Sequence, residues 1–413
     1  MKAKIESIGI DGDGIAIVDD QKYFIPFTAP GDEIEFEIIK GKRYSRIEVT
    51  QFLKESELRQ PAPCIHFGDC GGCKLQHINQ ETYQDYKLGL LRRALDFHQV
   101  EAKEWMPLHV IPPRRRRRIS LTFAHRYEGM MIGYMRRGTK WIIDNQECHL
   151  VLNEIEQLIP KLRALLAGMF QNRESGTVDI LATKVGLDVN LKTGFLRNPT
   201  LEQIEALTQF ARDNNIARLL LNYRPFVTFR EPVVNFSGID VAVEAGKFLQ
   251  ASDDADEFML QRVSQYMPEK VTRGVDLFSG RGTFTFLMAQ KGPTDAFECE
   301  NDAINALQIA ANQAQVPITV TKRDLFANPL SVEELGQYDF IFVDPPRAGA
   351  LTQVQQVAQS TLQHVVYISC NPASFARDAK ILCDAGFELE SVTPLDQFLW
   401  SEHLEVIGKF YRK

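Results

Sequence analysis

The chain has 413 residues, of which 44% are hydrophobic and 24% charged, a globular composition long enough for two or three domains. A net charge of -7 excludes a uniformly basic nucleic-acid binder, so an RNA partner would require a local cationic surface. The charged start MKAKIESIGIDGDG and the lack of a bilayer-length apolar run predict a soluble cytoplasmic protein without signal peptide or membrane span.

Residues 1–54 alternate short β-rich runs with turn signals, which predicts a small barrel of the oligonucleotide-binding texture. Within it Lys40, Lys42, Arg43, Tyr44 and Arg46 mix cations with an aromatic that could stack on a base; a solvated hairpin is the plain alternative. The cysteine cluster CIHFGDCGGCKLQHI follows, then a helix over about 80–97 with apolar residues at helical spacing. From about 101 to 243, the segments ISLTFAHRYEGMMIGYM, TKWIID, TVDILATKVGLDVNL and ARLLLNY read as strands, with NEIEQLIPKLRALLAGMF as a helix, an antiparallel α+β region. Residues 55–250 are therefore expected to form a central domain.

From about Asp253 the rhythm becomes helix, strand, helix, strand, which predicts an α/β, doubly wound parallel sheet over 251–413. Ligands of such sheets lie beyond the carboxyl ends of the strands. In VDLFSGRGTF, Gly280 and Gly282 mark a tight turn, but Thr285 stands where a dinucleotide fingerprint has its third glycine. Glu298 ends the next strand, where it could hold a ribose diol, and Asp324 follows the third, where it could read an adenine amino group. Such a pair, without a phosphate loop, suggests a nucleoside-type cofactor such as S-adenosylmethionine; singly, each acid could equally be a helix cap.

Two further strand ends carry reactive groups. YDFIFVDPPRAG sets Asp344 before two stiffening prolines, and HVVYISCNP sets Cys370 at a strand end before an Asn-Pro turn. A thiolate added to carbon 6 of uracil turns carbon 5 into a nucleophile, after which a base must remove the carbon 5 proton. Glu405, in SEHLEVIGKF, is the candidate base. A buried core cysteine is the alternative for Cys370.

The series DLFSGRGTF, DPPRAG, SCNP and HLEV, in this order, resembles the uridine-5 RNA methyltransferase family that modifies ribosomal and transfer RNA. The similarity covers nearly the whole chain, because the amino-terminal barrel also resembles the TRAM domain of many members. It implies Cys370 as nucleophile and Glu405 as base, with Gln250, Phe278, Thr283, Glu298, Asp324 and Asp344 lining the cofactor or target-base pocket. Members often carry cysteine at Ser279 and asparagine at Thr283.

Cys64, Cys70 and Cys73 follow C-x5-C-x2-C, and Cys148 is the distant fourth candidate, since the remaining cysteines belong to the catalytic half. Such a set can hold zinc or a 4Fe-4S cluster, or remain free thiols. The resemblance favours the cluster, in a structural or RNA-contacting role. Arg114 to Arg118, with Arg136, Arg137 and Lys140, are expected to divide between RNA phosphates and acidic neighbours, the alternative being a solvated charge run. The resulting expectation is methyl transfer to a uridine of 23S rRNA, with tRNA second, by a monomer without an obligate protein partner. Cytosine-5 methylation and a catalytically inactive iron-sulfur RNA-binding protein are the rivals.

Overall fold

The computed structural model describes residues 1–40, 45–170 and 173–413. Near the amino terminus, strands Lys2–Lys4, Glu33–Lys40 and Ser45–Lys54 pair in one three-stranded sheet, and Ser7–Ile8, Gly14–Val18 and Gln21–Ile25 in another. The two share a core of Ile5, Ala16, Ile25, Ile34 and Phe36. Alternation explains the arrangement, since Ile34 and Phe36 point inward between Glu33, Glu35 and Glu37. Arg46 pairs with Glu48 at 2.7 Å; Lys42, Arg43 and Tyr44 lie outside the described residues.

A six-stranded sheet follows, in the order Gly129–Gly133, Arg118–Arg126, Ser175–Thr183, Gly186–Lys192, Ile216–Leu221 and Arg224–Thr228. Its pairs are antiparallel except Gly186–Lys192 with Ile216–Leu221, joined through helix Leu201–Asp213. Helix Asn153–Met169 turns Ile155, Leu158, Ile159, Leu162 and Leu166 onto the shared core. TKWIID, expected to be a strand, makes only a single bridge between Met135 and Ile142. The Asp144 and Asn145 side chains accept from the backbone amides of Ile132 and Tyr134, replacing the carbonyls a regular strand would offer.

The carboxy-terminal sheet has the strand order Ile318–Lys322, Thr294–Glu298, Gly274–Leu277, Phe340–Val343, His364–Ser369, Glu405–Tyr411, Glu388–Asp396, Ala102–Trp105. Its first five strands are parallel, and the wholly buried Phe340–Val343 sits centrally. The last strand, Glu405–Tyr411, inserts antiparallel between His364–Ser369 and Glu388–Asp396. Residues 80–110, expected within the central region, pack here instead. Ala102–Trp105 and His109–Val110 pair with Glu388–Asp396, and helix Gln80–Phe97 buries Leu91 and Leu95 in the same core.

That helix also carries a buried charge. Lys87 and Asp396 are both 0% exposed and lie 2.9 Å apart, and Lys87 donates to the His403 carbonyl while the Tyr83 hydroxyl donates to Asp396. Burial lowers the Lys87 pKa, and the carboxylate beside it opposes the shift. Removing one member of such a pair strands the other in a low-dielectric interior. Lys87→Met is therefore expected to cost about 3–5 kcal/mol of stability, read by denaturant titration; an unchanged midpoint would refute the role of the pair.

Candidate active site

Beyond the carboxyl ends of the parallel strands lies a cavity of about 640 Å³. Every residue expected to form the catalytic or cofactor site lines it: Cys370 and Glu405, Gln250 and Asp344, and Phe278, Thr283, Glu298 and Asp324. Cys370 directly follows the strand His364–Ser369, and Glu405 opens the final strand. Because the final strand runs antiparallel and Ser369 stands opposite Val406, the same register continued by one residue sets Cys370 opposite Glu405. Asp344 directly follows Val343, which pairs with Tyr367.

The turn after Gly274–Leu277 is tightly built. Phe278, Gly280 and Gly282 all have positive φ, and at Gly282 a Cβ would come within 2.5 Å of Leu307. Only glycine avoids both strain and clash there. The Glu298 carboxylate accepts from the backbone amides of Gly280, Cys299 and Glu300, which tethers it to that turn. Asp324 accepts from the amides of Phe326 and Ala327, and the rings of Phe278 and Phe326 stand 5.4 Å apart.

Electrostatically the cavity crowds acids where water is scarce. Burial pushes the Glu405 carboxyl up to about 8, aided by the Asp344 charge, and Asp344 itself to about 7, again chiefly through burial. The Cys370 thiol is raised to about 11 by burial, with Glu405 and Asp344 adding to the effect. An acid whose folded pKa is raised holds its proton between about pH 4, the unfolded value, and its folded pKa. The folded state then binds more protons than the unfolded one, so the stability contribution falls as pH rises through that window. Asp344→Asn is thus expected to gain stability over the parent progressively from about pH 4 to 7 in ligand-free protein; a gap independent of pH would overturn the assignment.

From Arg115 onward the arginine run divides by alternation. Arg115 pairs with Asp254 at 3.3 Å, and Arg117, 2% exposed, joins Asp253 and Asp256 and donates to the Gln250 carbonyl. Arg114 pairs with Glu156. Arg116 and Arg118 form no ion pair among the described residues, and Arg118 lines the cavity beside Phe248, 5.6 Å from its ring. Arg136 and Arg137 fall in the subset held by acidic neighbours, Asp69 and Asp13.

Cys64, Cys70, Cys73 and Cys148 converge on one small pocket near Tyr134 and Glu147. Gly72 donates its amide to Cys70 Sγ at 3.4 Å, whereas the Gly71 amide is spent on the Met135 carbonyl. Burial raises all four thiols, Cys73 to about 12. Among the described residues no three His, Cys, Asp or Glu side chains could hold a metal ion, and no helix is long and apolar enough to cross a membrane.

Sequence reasoning missed Gln397, Phe248 and the cavity position of Arg118. Phe248, 71% exposed, stands two residues before Gln250, a spacing that could have drawn attention to it. Gln397 carries no local signal.

A family model described as tRNA (uracil-5-)-methyltransferase matches residues 239–413. The chain is 36% identical over 98% of its length to an uncharacterized RNA methyltransferase of Mesorhizobium japonicum, covering 96% of that protein. It is 29% identical to a 23S rRNA (uracil(1939)-C(5))-methyltransferase of Vibrio vulnificus, over 98% of this chain and 95% of the other. In fold it is similar to the Pyrococcus abyssi tRNA (uracil-54, C5)-methyltransferase, solved with S-adenosyl-L-homocysteine, at a TM-score of 0.75 and 21% identity over 99% of this chain and 100% of that one. The chain belongs to the RNA uracil-5-methyltransferase family and is an S-adenosylmethionine-dependent RNA methyltransferase.

Proposed function

We propose that the protein methylates carbon 5 of one uridine in 23S rRNA through a covalent bond between Cys370 and carbon 6. The observation that carries this reading is the juxtaposition of Cys370 and Glu405, at the facing ends of neighbouring strands, in the lining of one cavity with Asp344. S-adenosylmethionine supplies an electrophilic methyl carbon. Cys370 adds as the thiolate, its proton having gone to solvent, and forms the carbon 6–sulfur bond while the ring π electrons move toward carbon 5 and oxygen 4. Carbon 5 takes the methyl group as the methyl–sulfur bond breaks, the bonding pair staying on sulfur and the thioether S-adenosylhomocysteine being the leaving group. Glu405 then removes the carbon 5 proton, the carbon 5–carbon 6 double bond re-forms, and the thiolate leaves.

In this reading Glu298 and Asp324 hold the ribose and adenine ends of the cofactor beside Phe278 and Thr283, and Gln250 and Asp344 face the reacting centre. A uridine reaches Cys370 only if it is swung out of its stack, which the unpaired Arg116 and Arg118 would assist by meeting backbone phosphate. The four clustered cysteines form no group suited to a single metal ion, but their donor chemistry fits the larger 4Fe-4S group: four thiols around one pocket, with a glycine amide directed at sulfur. Its contribution would be a structural cross-link, since methyl transfer moves no unpaired electron. Anaerobically purified protein is expected to carry iron and acid-labile sulfide in equal amounts, and Cys64→Ser to lose both; stoichiometric zinc without sulfide would sink this part.

The rRNA target rests on the Vibrio vulnificus relative, which is matched along nearly its whole length; tRNA is the second reading, favoured by the description of the matching family model. The test is the 5-methyluridine content of 23S rRNA and tRNA from cells with and without the gene. Loss from 23S rRNA is expected. Loss from tRNA alone would move the substrate, and unchanged content in both would overturn the function.

A further inference from the structure

Gln397 is a buried residue that the reaction chemistry does not call for, yet it touches both sides of the site. Its Nε2 donates to Glu405 Oε1 at 3.0 Å and to Gln250 Oε1 at 2.9 Å, and its Oε1 accepts from the Ala251 backbone amide at 3.2 Å. A carboxamide can in principle be turned over, exchanging donor and acceptor. Here the backbone forbids it. The Ala251 N–H can only donate, so Oε1 must face it and both Nε2 protons must face Glu405 and Gln250.

Resting on the reading of Glu405 as the base, we propose that Gln397 is a positioning residue that fixes which oxygen of Glu405 takes the carbon 5 proton and which end of the Gln250 amide faces the uracil. Because Glu405 Oε1 already accepts from Gln397, the proton lands on Oε2, which has no hydrogen bond among the described residues. Because Gln250 Oε1 also accepts from Gln397, Gln250 keeps its Nε2 protons for the ligand. The clamp is itself braced. Its neighbour Asp396 is locked by Lys87 and Tyr83 and accepts from the Phe398 amide at 3.1 Å, so the segment leading from Gln397 to Glu405 is tied to helix Gln80–Phe97.

With RNA saturating, so that a weakened Gln250 contact to uracil is masked in binding, the larger consequence falls on one half of the reaction. Cys370 makes no hydrogen bond to Gln397, so addition and methyl transfer do not depend directly on the clamp, whereas proton removal does. The test is single-turnover quench-flow of the full-length protein with S-adenosylmethionine and RNA from cells lacking the gene. It follows methyl transfer and decay of the covalent protein–RNA adduct separately, from about pH 6 to 9, the range that brackets the raised carboxyls. Gln397→Met should leave methyl transfer within about threefold of the parent and slow adduct decay by roughly tenfold or more, part of the range general-base catalysis spans.

The pH midpoint of decay should also move upward, because the hydrogen bond from Gln397 favours the ionised Glu405, whose titratable neighbours are Asp344 and Cys370. Gln397→Glu, which keeps the size but replaces donors with acceptors, should show the same selectivity and provides a second variant should the methionine disturb folding. Equal slowing of both steps, or of neither, would overturn the proposal. Glu405→Gln serves as the reference: if it releases the adduct at the parental rate, the base assignment itself falls. If it traps the adduct while both Gln397 variants release normally, only the role of Gln397 is lost.

Discussion

Cys370→Ala is expected to abolish methyl transfer, lowering the rate by on the order of 10⁴-fold or more, the scale on which enzymes lose activity with their covalent nucleophile. The expectation follows from the weak nucleophilicity of uracil carbon 5, which attacks a methyl group only after the ring has been activated by addition. With 5-fluorouridine in the substrate RNA, the parent should be trapped as a stable protein–RNA adduct, because fluorine cannot leave as a proton does. Cys370→Ala should form none. Since burial and two neighbouring carboxyls raise the thiol to about 11, little thiolate exists at neutral pH in ligand-free protein. Adduct formation should accelerate as pH rises from about 6 to 9, each unit raising the thiolate fraction about tenfold below the pKa. A rate flat in pH, or an adduct in the alanine variant, would remove Cys370 from the mechanism.

Replacing Glu405 by Gln should act later. The amide is close in size and can keep an oxygen facing Gln397, so the cavity should hold its shape, but it cannot take a proton. Turnover is expected to fall by roughly 10²- to 10⁴-fold, with methylated adduct accumulating on natural RNA, visible as a band of protein and RNA that resists denaturation. The contrast between the two variants is informative because it separates bond formation at carbon 6 from proton removal at carbon 5. Normal turnover by the Gln variant would require another base, and Asp344, raised to about 7, would be the next to substitute.

Much of the site was legible locally. Cys370, Asp344, Glu298 and Asp324 all stand at or just beyond the ends of apolar runs, and a parallel sheet converts that position into a shared rim. The helix expected over about 80–97 spans Gln80–Phe97, because its apolar residues keep helical spacing through Leu91 and Leu95 and Asn79 caps its start. The alternation of the arginine run was also legible in principle, since successive side chains on an extended chain face opposite ways. Which acids would capture Arg115 and Arg117 was not. Their partners Asp253, Asp254 and Asp256 lie far along the chain, in the first turn of helix Asp253–Tyr266.

By itself, then, the amino-acid order determined which reactive groups sit at strand ends, and with them the kind of chemistry the chain can perform, because strand periodicity and turn residues are properties of near neighbours. Tertiary structure alone decided that the last strand inserts antiparallel beside His364–Ser369, that Glu405 thereby meets Cys370, that residues 102–110 extend the same sheet, and that Gln397 links Glu405 to Gln250. Those pairings join residues far apart in the chain. They are selected by the burial of whole faces and the satisfaction of buried polar groups, for which no short segment carries a signal.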